Sequence, residues 1–198
     1  MTCSPSCQTG PRQHRQRGAA AVEFALLAAL FFTVLFGIIE IARYTFLRNT
    51  LQEVTRRAAH DVAVADFASA TALLQIRRRA IFRTTSGPLV LSTNIDDTNV
   101  QVEFLSYDQT PVAAMPACPA ANASNCIDDP HGATCVRFVR VRVCETGTSC
   151  AGVPYVPMVG LLNTLFPSGA NTVRLPLATT VTPIQSMKNF SPGTPGCP

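Results

Sequence analysis

A carboxylate stands where the surrounding sequence is otherwise apolar. In Arg17-Gly18-Ala19-Ala20-Ala21-Val22-Glu23-Phe24 and the run that follows to Ile39, Glu23 is the one ionised side chain after Arg17. Insertion scales put an acidic side chain at the centre of a membrane helix near +2.5 to +3.5 kcal/mol, and less towards an end, so Glu23 needs a partner. A cut after Gly18 supplies one. Ala19 then gains a free amine, a cation, and Glu23 becomes the fifth residue of the shortened chain. With such a cut, Glu23 would have a cation to pair with, the Ala19 amine of a neighbouring copy. The plainer reading is a carboxylate that snorkels to the interface and does nothing specific.

Cysteine is the second chemistry-bearing residue. Of eight, Cys3 and Cys7 precede Gly18, leaving Cys118, Cys126, Cys135, Cys144, Cys150 and Cys197 in the last half. An even set of six in an oxidising compartment reads as up to three disulfides, with 15 possible pairings. A zinc site from Cys118, Cys126, His131 and Cys135 is disfavoured, because no spacing among them is the two-to-four-residue knuckle of structural zinc. No metal and no cofactor are expected. Asn122-Ala123-Ser124 fits a glycosylation sequon, an accidental match of little weight. His60 falls on a helix among charges and His131 in a loop, with no nucleophile elbow or phosphate-cradling glycine loop. The pattern does not describe an enzyme.

The element that positions Glu23 is a membrane span. From Phe24 to Ile39 no residue is charged, and the 21 residues from Ala19 rise about 31 Å as a helix, matching a hydrocarbon core of about 30 Å. Arg12, Arg15 and Arg17 precede it and orient the N-terminus to the cytoplasm, although Arg43, Arg48, Arg56 and Arg57 beyond the span blur that bias. A cleaved signal peptide is the competitor, but its apolar region is shorter, and EIARYTF lacks a small-x-small cleavage pattern. Three units of the formal net charge of +4 sit on the three leader arginines. Arg77, Arg78, Arg79 and Arg83 lie on a helix without stacking aromatics, so nucleic acid is not expected as a partner. Glu40 closes the span and pairs with Arg43 at i+3; Gly37 with Thr33 gives only a weak small-xxx-small signal.

Past the span the helix continues. Tyr44, Leu47, Leu51, Val54, Ala58 and Ala65 form an apolar stripe, while Arg48, Gln52, Glu53, Arg56 and Arg57 fall elsewhere. A second helix is expected over Ala68 to Arg83, with Leu73, Ile76 and Ala80 on one side, ended by Gly87-Pro88. The period then changes to two. Strands are expected at Leu89 to Asn94, Val100 to Tyr107, Val136 to Val143 and Thr172 to Val181, with a loop from Asp108 to Thr134. Val139, Val141 and Val143 alternate with Arg140 and Arg142, which implies a sheet with one buried face. The fold class is α+β: a long N-terminal helix, transmembrane then amphipathic, followed by a small antiparallel-sheet domain stapled by disulfides. The expected divisions are a basic cytoplasmic leader (1–18), a transmembrane helix (19–42), periplasmic amphipathic helices (43–86) and a cysteine-rich β domain (87–198).

Glycine before a cut, glutamate at the fifth mature position and an aromatic at the sixth, here Gly18, Glu23 and Phe24, resemble the Flp-type variant of the type IV pilin signature. The stretch RGAAAVEFALLAALFFTVLFGIIEIARYTFLRNTLQEVTRRAA resembles the N-terminal region of TadE-like pseudopilins of tight-adherence pilus systems, from about Gly18 to Ala59. The resemblance implies a minor pilin-like subunit of the inner membrane, with its C-terminal domain in the periplasm. Its implied partners are a prepilin peptidase, other pilin-like subunits and the inner-membrane assembly platform. One departure is Ala29, where family members often carry a proline that changes a helix kink. The alternative is a membrane-anchored periplasmic binding module unrelated to pili, which would keep residues 1–18.

Overall fold

The computed structural model describes residues 16–147, 150–158 and 173–185, with side chains from Gly18 onward. The chain divides into two compact units, Met1–Ile41 and Ala42–Pro198. Helix α1, Gln16–Val64, runs through the boundary between them. In the first unit its large apolar side chains are exposed, among them Phe24, Leu30, Phe31 and Ile38. The helix is long and apolar enough to cross a membrane.

The second unit is built on one core. Leu47, Leu51, Val54 and Ala58, spaced four, three and four apart, face inward on α1 and are joined there by Ala59, Val62 and Ala63. Helix α2, Ala70–Ala80, starts at Ser69, whose hydroxyl accepts from the Ala72 N–H, and buries Ile76 and Ala80. It ends three residues before the expected Arg83. The chain turns there through Phe82, at φ 62°, and the Phe82 N–H closes back on the Arg79 carbonyl at 2.9 Å.

Three strands form an antiparallel sheet in the order β1-β2-β3: Val100–Leu105, Phe138–Val143 and Ala178–Pro183. Val139, Val141 and Val143 are almost fully buried on one face of β2 and pack in the core that holds the α1 stripe. On the opposite face Glu103 of β1 receives Arg140 at 2.9 and 2.6 Å and Arg142 at 3.1 Å. Thr180 of β3 donates to the Thr55 hydroxyl at 2.9 Å, and the Gln185 N–H reaches the Ala63 carbonyl at 3.2 Å. The architecture is α+β: a long apolar helix followed by a small antiparallel sheet with disulfide-linked loops.

Three further segments differ from the sequence-based expectation. Leu89 to Asn94 is a turn rather than a strand, because its backbone closes on itself: the Ser92 N–H bonds the Leu89 carbonyl and the Leu89 N–H bonds the Ile95 carbonyl. The expected strand from Thr172 is displaced towards the C-terminus, since Val173 and Leu175 exchange backbone bonds with Tyr155 and Val153 instead of β2; Thr172 itself lies outside the described residues. The expected loop from Asp108 to Thr134 contains a third helix, α3, Pro119–Asp128. Its buried anchor is Asn122, whose amide accepts from the Val136 N–H at 2.8 Å and donates to the Val136 carbonyl at 3.2 Å. That side chain satisfies both backbone groups of the residue leading into β2.

Candidate processing and assembly site

Gly18, Ala19, Glu23 and Phe24 all lie in the first turns of described α1, and all are exposed, Phe24 at 73%. Ala19 and Glu23 stand at i and i+4, one turn apart on the same face, and helical side chains lean towards the N-terminus. A helix beginning at Ala19 would carry a charged amine on top of its own unpaired N–H groups and positive dipole end. A carboxylate within that turn offsets both. Among the described residues glycine at position 18 packs against nothing, because a Cβ built there meets no atom within 4 Å. Within a helix glycine costs about 1 kcal/mol relative to alanine, so the residue weakens the helix without serving a contact in it.

The other residues singled out from the sequence are distributed over the second unit. Cys126 pairs with Cys135, and Cys144 with Cys150, at Cα separations of 4.8 and 5.2 Å. Cys118 is likewise disulfide-bonded. Cys197 lies outside the described residues. The zinc alternative therefore loses its thiols to disulfides, and no metal-holding cluster occurs among the described residues. His131 stacks edge-on to Tyr107 at 4.0 Å, while His60 sits 3.6 Å from Asp61 on α1.

Arg56, Arg57, His60 and Arg79 line an open groove of about 570 Å³ together with Glu53, Asp61, Thr180 and Thr182. Its charges engage one another: Arg57 donates to Glu53 at 2.7 Å, and Arg56 stands 3.8 Å from the same carboxylate. The Arg57 hydrogen bond is the leading cause that holds the half-exposed Glu53 carboxyl below the ordinary glutamate range.

Sequence reasoning missed the surroundings of Arg43, which it read only against Glu40. The guanidinium donates to the Leu91 and Val156 carbonyls and the Tyr155 hydroxyl, from segments far along the chain. A lone arginine after an apolar run carries no signal of such long-range partners. Glu40 itself is buried.

No curated protein and no solved structure matches the chain. A family model does, that of the TadE-like proteins, and it spans residues 18–60. The match starts on Gly18, includes Glu23 and Phe24, and ends within the part of α1 that packs in the core of the second unit. Over residues 18–60, about a fifth of its length, the chain is similar to TadE-like proteins.

Proposed function

We propose that the protein is a minor pilin-like subunit acting in assembly of a tight-adherence Flp-type pilus or a related secretion machine. A prepilin peptidase cuts it after Gly18. Its apolar helix spans the inner membrane once, with residues 1–18 cytoplasmic and the second unit periplasmic. The role is structural rather than enzymatic, and its partners are other pilin-like subunits and the inner-membrane assembly platform.

The observation that carries this reading is the Gly18, Glu23 and Phe24 spacing at the head of the apolar helix, within a TadE-like match that begins at residue 18. The exposure of these residues supports it, since a peptidase must reach Gly18 and a neighbouring subunit must reach Glu23. So does a glycine that packs against nothing among the described residues. The disulfides fit an oxidising compartment for the second unit.

Two substitutions separate processing from assembly. Gly18→Leu leaves the longer chain in the membrane, because the fold accommodates the side chain and the peptidase does not. Glu23→Ala is inserted and cut, but the subunit fails to support assembly, because the Ala19 amine of a neighbour meets no carboxylate in the membrane. Normal piliation or secretion with stably expressed Glu23→Ala would refute the charge-pairing role.

A further inference from the structure

We propose that the second unit makes its own contact with the lipid surface, through an interfacial collar formed by the loop tips at Val90–Leu91 and Val156–Met158 gathered around Arg43. The proposal rests on the reading of α1 as a membrane span. Arg43 lies four residues beyond Ile39, the end of the uncharged apolar run, which in a helix is about 6 Å of rise. Its Nε and Nη2 donate to the Leu91 carbonyl at 3.0 and 2.7 Å, and its Nη1 donates to the Val156 carbonyl at 2.8 Å. Both loops are therefore tied to one arginine side chain at the N-terminal edge of the second unit.

What those loops present is apolar. Val90, Leu91, Val156 and Met158 are 55, 47, 46 and 64% exposed. Scattered apolar residues on a surface need no explanation, but here four sit on two tips joined by one guanidinium. Neither residues 88–92 nor residues 153–158 include Asp, Glu, Lys or Arg. Leu91 adopts φ 61°, a left-handed conformation that L side chains with a Cβ rarely take. The turn holds it there through the Ser92 to Leu89 backbone bond.

The polar groups behind the tips suit the boundary between headgroups and acyl chains. The Arg43 guanidinium lies 5.3 Å above the Tyr155 ring, and Tyr44 meets Tyr155 edge-on, also at 5.3 Å. Tyrosine and arginine collect at that depth because each pairs an apolar body with a polar end. Apolar tips with no charge of either sign match lipid in both regions they would touch. The collar fixes the height of the second unit at the membrane surface, which a single span leaves to the helix alone.

The chain has no tryptophan, so one introduced residue reports its own surroundings. The full-length chain is reconstituted into vesicles whose lipids carry bromine either near the headgroup or deep in the acyl chain. Leu91→Trp and Met158→Trp test the collar, with Val90→Trp as a further site should the Leu91 turn not accept the larger ring. Phe31→Trp marks the span and Ile127→Trp, at a position 80% exposed on α3, marks solvent. The collar predicts at least twofold stronger quenching of the Leu91 and Met158 reporters by shallow than by deep bromine, with Phe31→Trp quenched by deep bromine and Ile127→Trp by neither. An unquenched Phe31→Trp overturns the span, and with it the function proposed above. A quenched Phe31→Trp beside collar reporters no more quenched than Ile127→Trp overturns the collar alone. Blue-shifted collar emission insensitive to bromine also overturns it, since a protein surface rather than lipid would then cover the tips.

Discussion

Helix α1 contributes to two units, and its side chains change character between them. In the first, Phe24, Leu27, Phe31 and Ile41 are 61 to 73% exposed, and large apolar residues occur on every side of the helix. In the second, Leu47, Leu51, Val54 and Ala58 are at most 2% exposed and confined to one stripe, with Arg48, Arg56 and Arg57 outside it. A helix apolar all round needs an apolar solvent, whereas a striped one needs a single partner surface. One continuous element thus meets two demands, and the residues proposed to act in processing and assembly lie at the head of the first part.

If the two parts answer to different environments, a charge should damage each in its own way. Val54→Asp places a carboxylate without a partner in the core and should destabilise the second unit by several kcal/mol, abolishing its cooperative urea transition. Leu30→Asp should leave that transition unchanged while weakening membrane insertion, read by carbonate extraction. A loss of the urea transition in Leu30→Asp would break the comparison.

Next in size are the disulfides, which stabilise only the second unit. Cys126→Ser/Cys135→Ser and Cys144→Ser/Cys150→Ser each open a short loop, of sequence separation 9 and 6. The chain-entropy account gives about 2–3 kcal/mol for loops of this size, measured as a lower urea midpoint with membrane insertion intact. Smaller again is Glu103→Gln. It removes the charge on which Arg140 and Arg142 converge on the half-exposed sheet face, and should lower stability by about 1 kcal/mol. Core and disulfides should remain as they are in that variant.

The smallest expected effect is a pH dependence. Hydrogen bonding to Arg57 lowers the Glu53 carboxyl in the folded chain, so its contribution is fully present above the unfolded glutamate value and is lost as pH falls through the lowered folded value. Carboxyl-selective NMR should find the Glu53 midpoint below that of an unstructured glutamate. Stability near neutral pH should not respond to it. In Arg57→Gln the midpoint should return towards the ordinary range.

Where the sequence was legible, a period carried the information. The alternating valines and arginines of Val139 to Val143 read directly as the central strand, because each side chain has one face to occupy. The α1 stripe was legible for the same reason. Helix α3 was not, since the one large apolar residue in PAANASNCID, Ile127, is exposed and its anchor, Asn122, is a polar side chain acting on backbone groups 14 residues away. Leu89 to Asn94 misled because its apolar composition fits a strand, while its backbone bonds close locally. Of the candidate site, the spacing of Gly18, Glu23 and Phe24 was fully present in the sequence. The partners of Arg43 were not, because they depend on two distant loops returning to one side chain.

The most direct test of the account is the mass of the chain recovered from membranes of cells that express a prepilin peptidase. A pilin-like subunit begins at Ala19, so the intact mass should lack residues 1–18, and deletion of the peptidase should restore them. A chain that keeps residues 1–18 in the presence of the active peptidase, or that begins elsewhere, would contradict the account and favour a membrane-anchored binding module.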